Sequence, residues 1–181
     1  LRIIGGTHRS RVLNAPASLP VRPTTDFAKT GLFNILDNRF RIKSCSALDL
    51  YAGIGSFSFE FLSRGCGNVI CVDKHAGCIK FINETKVLLK DNNVIKPIQT
   101  DVLLFLENNQ STFDIILADP PYAETPAETL VNLIFSKKML KQKGVFILEH
   151  ASSNSFSHLK NFESSRKYGS VTFSFFSNIE D

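Results

Sequence analysis

The chain has 181 residues, 43% of them hydrophobic, and carries 21 Lys/Arg against 17 Asp/Glu for a net charge of +4. That length and apolar share suffice for one domain with a continuous core needing no metal or disulfide staples. No apolar run approaches the roughly 18 residues of a membrane span and Leu1-Arg2-Ile3-Ile4-Gly5-Gly6 has no signal-peptide core, so a cytoplasmic protein with no membrane partner is expected.

The charge is unevenly spread. Residues 1–43 hold eight Lys/Arg against Asp26 and Asp37, a net +6, whereas the remainder holds thirteen against fifteen. A basic segment joined to a slightly acidic body points to an arm that meets phosphate. Arg2-Ile3-Ile4 and Arg11-Val12-Leu13 read as two short strands separated by Gly5-Gly6 and a polar stretch, a small N-terminal β-hairpin. Pro16, Pro20 and Pro23 stiffen a linker. Thr24 or Thr25 then caps a helix running to about Asn38, with Asp26 in its first turn and Ala28, Leu32, Ile35 and Leu36 on one face. We expect a basic extension over 1–43 and a main domain over 44–181, joined as one compact unit.

From Ser46 strand and helix alternate: strand 47–51, helix 56–64, strand 69–72, helix 76–90, strand 95–99, helix 102–108, strand 114–118, helix 126–140 and strand 145–149. The tail departs from this order, because 163–168 and 170–177 are alternating strands joined at Gly169. Such a chain predicts an α/β fold, Rossmann-like, with a mostly parallel doubly wound sheet that ends in an antiparallel hairpin.

Asp49-Leu50-Tyr51-Ala52-Gly53-Ile54-Gly55 falls where the first strand turns into the first helix of this series. Gly53 and Gly55 permit a sharp turn and close approach of a ligand, which marks a nucleoside-binding turn lined by Asp49 and Tyr51. The next strand ends in Val72-Asp73, followed by Lys74, at the distance where an acid accepts both ribose hydroxyls. Asp101 follows the third strand, near where an adenine amino group would lie. A nicotinamide dehydrogenase shares the turn and the acid, but the third glycine of its pattern is replaced by Ser58. An acid ahead of the turn suits a cationic ligand better than a pyrophosphate. S-adenosyl-L-methionine, with a sulfonium and an ammonium group and no phosphate, is the expected cofactor.

Ile115, Ile116 and Leu117 form a strand covered on both faces, which delivers Asp119-Pro120-Pro121-Tyr122 to its end. Two prolines forbid continuation and leave the Asp119 and Pro120 carbonyls outward with little freedom. A carboxylate beside a free carbonyl is an acceptor pair for a planar NH2 group, and Tyr122 offers a face for its ring. Asp119, Pro120, Pro121 and Tyr122 are therefore the candidate catalytic corner of a methyltransferase. Cys45, Cys66, Cys71 and Cys78 make no Cys-x-x-Cys pair, and the four His are scattered, so no metal site is expected.

Nearly the whole chain resembles the bacterial 16S ribosomal RNA guanine-N2 methyltransferase family, the small-subunit methyltransferase D type. The likeness rests on Arg2-Ile3-Ile4-Gly5-Gly6 with Arg11, on Arg22-Pro23-Thr24-Thr25-Asp26 followed by Leu32-Phe33-Asn34, and on the Asp49–Gly55 turn. Ser63-Arg64-Gly65, Val72-Asp73-Lys74 and the Asp119–Tyr122 corner complete it. Many members carry a more basic and acidic run where this chain has Phe27-Ala28-Lys29-Thr30-Gly31. The resemblance implies methyl transfer from S-adenosyl-L-methionine to the exocyclic N2 of a guanine in 16S ribosomal RNA, free or within a partly assembled small subunit, by a monomer. Arg2, Arg9, Arg11 and Arg22 are the expected RNA contacts. An adenine-N6 or glutamine-N5 methyltransferase, which uses the same kind of corner, and a non-catalytic RNA-binding assembly factor remain as alternatives.

Overall fold

The computed structural model describes residues 1–20, 24–91, 93–121 and 126–178. Arg22 and Tyr122, two of the expected site residues, lie outside the described residues. The first helix, α1 (Asp26–Arg39), begins where Thr25 Oγ1 accepts the Ala28 N–H at 3.2 Å. Strand and helix then alternate through β1 (Ser46–Leu50), α2 (Ser56–Ser63), β2 (Asn68–Asp73), α3 (Ala76–Leu88), β3 (Ile95–Gln99) and α4 (Val102–Asn108). They continue through β4 (Phe113–Ala118), α5 (Ala127–Ser136) and β5 (Leu140–Ala151), and β6 (Phe162–Tyr168) and β7 (Val171–Ser177) form the expected hairpin.

The sheet has seven strands in the order β3-β2-β1-β4-β5-β7-β6. Strands β1 to β5 are mutually parallel, and β7 runs antiparallel between β5 and β6. The chain moves outward from β1 in one direction to β2 and β3 and in the other to β4 and β5. The reversal opens a crevice at the carboxyl ends of β1 and β4, where open α/β sheets bind ligands.

The sequence reading is corrected at several boundaries, the largest at β5, which runs over Leu140–Ala151 instead of 145–149, and at the end of α5 before it. Helix α5 ends at Ser136 instead of 140, because Lys138 adopts φ 51° and the Met139 N–H reaches back to the Ile134 carbonyl at 3.0 Å. This left-handed cap satisfies the last carbonyls, and Met139 and Leu140 join the core from outside the helix. The N-terminal arm narrows to a single antiparallel bridge between Arg2 and Val12, supported by Ile3 N–H to the Arg11 carbonyl at 3.0 Å.

What holds the arm is α2, whose Ser-Phe-Ser-Phe-Glu-Phe run is buried on nearly every side. Glu60 is fully buried, and its two carboxylate oxygens accept the Ile4 and Gly5 N–H groups at 2.8 Å each, with Arg64 Nη2 at 2.9 Å. Lys29, counted in the basic excess, is equally buried: its Nζ donates to the Arg2 carbonyl and to Ser56 Oγ and stands 3.9 Å from Glu60 Oε2. The outward charge of the arm is correspondingly smaller than the sequence suggests. Ile3, Leu13, Leu32 and Phe33 share one core with Phe59, Phe61, Leu117 and Phe173 on the α1–α3 face of the sheet. Leu106, Phe113, Ile134, Phe146 and Phe176 fill the other face under α4 and α5.

Candidate active site

The turn after β1 is built from left-handed residues: Tyr51 at φ 57°, Gly53 at 53° and Gly55 at 76°, the last serving as N-cap of α2. Asp73 ties this turn to the end of β2. Its Oδ2 accepts the Gly53 N–H at 2.7 Å and its Oδ1 the His75 N–H at 2.8 Å. A carboxylate offers about four lone-pair positions, so acceptor capacity remains for a ligand's hydroxyl groups. Lys74 follows on the exposed segment leading into α3.

Asp49 sits beneath the turn, 1% exposed, with Oδ2 accepting both Ser58 N–H at 3.0 Å and Ser58 Oγ at 2.5 Å. Burial pushes its carboxyl up to about 7; the Ser58 bonds oppose the rise, and the charges of Asp119 and Asp73 add to it. The residue that displaced the third glycine therefore has a role of its own, holding a buried acid.

Asp119 follows β4, its N–H directed to the Leu50 carbonyl at 3.4 Å, and Pro120 and Pro121 carry the chain away from the sheet. Asp49 lies opposite Leu117 in register, and Leu117 opposite Ile147. Strand alternation then sends Asp119 and Glu149, each two residues on, to the same face as Asp49. Glu149 is buried, and Thr24 Oγ1 donates to its Oε2 at 2.9 Å. Burial raises Asp119 well above the usual carboxylate range. Burial, with the charges of Asp119 and Asp49, raises Glu149 as well, against the Thr24 hydrogen bond. Three acids held short of full ionisation at one crevice favour a ligand that brings positive charge. Among the described residues no cluster of His, Cys, Asp and Glu has the makings of a metal site.

Glu149 and Thr24 were not among the expected site residues, although the signal existed. The strand over 145–149 ends in an acid just as the strands before Asp73 and Asp119 do. Asp101 plays a structural part, since its Oδ1 accepts the Leu103 and Leu104 N–H groups at 2.9 and 3.1 Å and so caps α4. The arginines are not gathered in one place. Arg2 lies beside Asp26 in the first turn of α1, Nε to Oδ2 3.6 Å, on the side of Thr24 and Glu149. Arg9 lies on the turn docked at the far end of α2, where Thr7 N–H and His8 N–H bond the Ser63 carbonyl and hydroxyl. Arg11 is exposed on the returning segment of the arm, its carbonyl accepting the Ile3 N–H.

The Conserved hypothetical protein 95 family matches residues 1–177. Ribosomal RNA small subunit methyltransferase D of Haemophilus influenzae is 32% identical over 152 residues, 82% of this chain and 78% of that protein. A hypothetical protein of Thermus thermophilus shares the fold with a TM-score of 0.85 at 24% identity, over 98% of this chain and 99% of that one. The Thermus thermophilus 16S rRNA N2 G1207 methyltransferase, solved with AdoMet and guanosine, shares it with a TM-score of 0.71 at 20% identity, over 89% of this chain and 45% of that one. With the arm, the glycine turn and the acid-lined crevice all inside the matched span, this chain belongs to the Conserved hypothetical protein 95 family, alongside the ribosomal RNA small subunit methyltransferase D proteins.

Proposed function

We propose that the protein methylates the exocyclic N2 of a guanine in 16S ribosomal RNA with S-adenosyl-L-methionine as donor. The observation that carries this reading is the same-face clustering of Asp49, Asp119 and Glu149, all with raised pKa values, beside a glycine turn tied to Asp73. Such a crevice fits a nucleoside bearing positive charge. The Haemophilus influenzae relative is named a ribosomal RNA small subunit methyltransferase, and the fold is shared with an enzyme solved with AdoMet and guanosine.

Bound there, S-adenosyl-L-methionine supplies an electrophilic methyl group on a sulfonium centre. Asp73 accepts the ribose hydroxyls, the Tyr51–Gly55 turn and Lys74 line the nucleoside, and Asp101 keeps its Oδ2 for the adenine side. Asp49 acts through its charge from below the turn. Asp119 and the Pro120 carbonyl each accept one N–H of the guanine amine, whose lone pair is otherwise delocalised into the ring. Pro121 holds this corner rigid and Tyr122 stacks on the base. Positioning for in-line attack contributes up to about 7 to 11 kcal/mol in favourable cases, whereas one neutral hydrogen bond nets only about 1 kcal/mol. Alignment therefore dominates. When the amine nitrogen has formed its new bond to carbon it carries a surplus proton, and Asp119, made more basic by burial, accepts it directly or through water. Arg2, Arg9, Arg11 and Arg22 contact RNA phosphates, and the extension over 1–43 serves as the recruiting part of a monomer.

The test is an assay of the purified protein on unmodified 16S transcript, small-subunit particles, DNA and release factor, followed by nucleoside analysis. The expected product is N2-methylguanosine in the ribosomal RNA, lost at least a hundredfold in Asp119→Ala while S-adenosyl-L-methionine affinity stays within a few fold. Methyl groups found on adenine N6 or on glutamine would overturn the assignment.

A further inference from the structure

Phe27, the second residue of α1, is 69% exposed. Its ring stands edge-on to Tyr168 at the end of β6, with centroids 5.6 Å apart and planes at 78°. A contact of this kind leaves an aromatic face open. Tyr168 is fixed from behind: Phe173 lies 6.0 Å away, and the ring crosses α1 so closely at Gly31 that a Cβ there would stand 2.1 Å from Tyr168 Cε1. The result is a rigid aromatic step on the surface.

Two arginines stand on the adjoining segments, one of them paired with an acid. Arg166, exposed, precedes Tyr168 by two residues and shares its face of β6, opposite Phe173 in register. Arg2 presents a side chain that is 60% exposed beside Asp26, the residue before Phe27. The step also lies at the mouth of the crevice, because Thr24, three residues before Phe27, holds Glu149. Among the described residues the other large exposed apolar side chains, Val12, Val87, Leu88 and Leu104, lie on the arm, α3 and α4. A flat ring with arginines on the neighbouring segments matches single-stranded nucleic acid, which needs a stacking face and phosphate neutralisation together.

We propose that Phe27 and Tyr168 form a stacking step for an unpaired base beside the target nucleotide of the substrate RNA, with Arg166 and Arg2 on the adjoining phosphates. This rests on the reading of 16S ribosomal RNA as substrate. Removing the aromatic face should weaken RNA binding by roughly tenfold, within the range for one stacked base.

The chain contains no Trp, so Phe27→Trp places a single indole on the step. Its fluorescence should be quenched by unmodified 16S transcript and not by inorganic polyphosphate, which offers charge without bases. In parallel, Phe27→Leu should raise the KM for RNA roughly tenfold with kcat within twofold, S-adenosyl-L-methionine affinity unchanged and an unchanged thermal midpoint, and Phe27→Tyr should restore the wild-type KM. Equal quenching by polyphosphate, or a wild-type KM in Phe27→Leu, overturns the stacking step while the methyltransferase reading stands. A lower molecular mass for Phe27→Leu in solution at unchanged RNA affinity assigns the face to a second copy and also overturns it. If the wild type methylates no ribosomal RNA, the reading beneath it fails and the step with it.

Discussion

Asp49 shows how one buried carboxyl sets a pH dependence for the whole crevice. Its folded pKa is raised by burial to about 7 from the ordinary 3.8, so between those values the folded chain holds a proton that the unfolded chain has released. Stability is then lost as pH rises through this window and levels off above it, because the slope follows the difference in bound protons. Asp119 and Glu149, raised for the same reason, act in the same direction. His150, held neutral by burial, acts in the opposite one. Asp49→Asn removes the first contribution and relieves part of the rise at Glu149 in the same direction. Calorimetry from pH 5 to 8 should therefore show the wild-type thermal midpoint declining relative to that of Asp49→Asn. Parallel curves for the two proteins would mean that Asp49 does not titrate in this range.

Helix α2 owes its burial to two surfaces meeting it from opposite sides. Its phenylalanines face the core, Ser58 faces Asp49, and Glu60 and Ser63 face the N-terminal arm. The arm can lie this close only because Gly6 adopts φ 73° and has no side chain; a Cβ there would stand 1.8 Å from the Ser63 carbonyl oxygen. Gly6→Ala must strain the backbone by about 1 to 2 kcal/mol and push the arm off α2. Displacement also strips Glu60 of backbone donors, and a buried acceptor left without its partner costs about 1 to 3 kcal/mol. Urea unfolding of Gly6→Ala should show a loss of about 2 to 5 kcal/mol, by those two contributions together. A loss below about 0.5 kcal/mol, the level of an ordinary surface change, would show the docking to be of no consequence.

Across the whole molecule, the basic arm acts as a charged surface only in part. Lys29 is buried against Glu60, and Arg39 is paired with Glu163 at 2.7 Å, so two of the eight N-terminal cations are met by acids from the rest of the fold. Arg2, Arg9 and Arg11 remain exposed. Neutralising these three together with Arg22 should flatten the salt dependence of RNA binding, each lost phosphate contact lowering the log-log slope by roughly 0.7 to 0.9. Because Arg9 sits at the far end of α2 from the crevice, its share should be the smaller one beside Arg2. An unchanged slope in the quadruple variant, measured from low to moderate salt, would assign the RNA to another surface.

The sequence by itself determined the order and nature of the elements, because the apolar run of a parallel strand, the period of a helix and the Pro-Pro stop at 120–121 are properties of neighbouring residues. A helix cap at Thr24 or Thr25, the glycine turn and the placing of Asp49, Asp73, Asp101 and Asp119 at the carboxyl edge were legible for the same reason, once a parallel sheet was inferred. Tertiary structure alone decided which polar groups face one another. Thr24 finds Glu149 across 125 residues, and Lys29 finds Ser56 across 27. Neither local pattern marks its partner, and burial turned a surface lysine into a structural one and an unremarked strand end into part of the acid cluster. The insertion of β7 between β5 and β6 belongs with these contacts, since it depends on which strand edge the returning chain meets and not on anything within the hairpin itself.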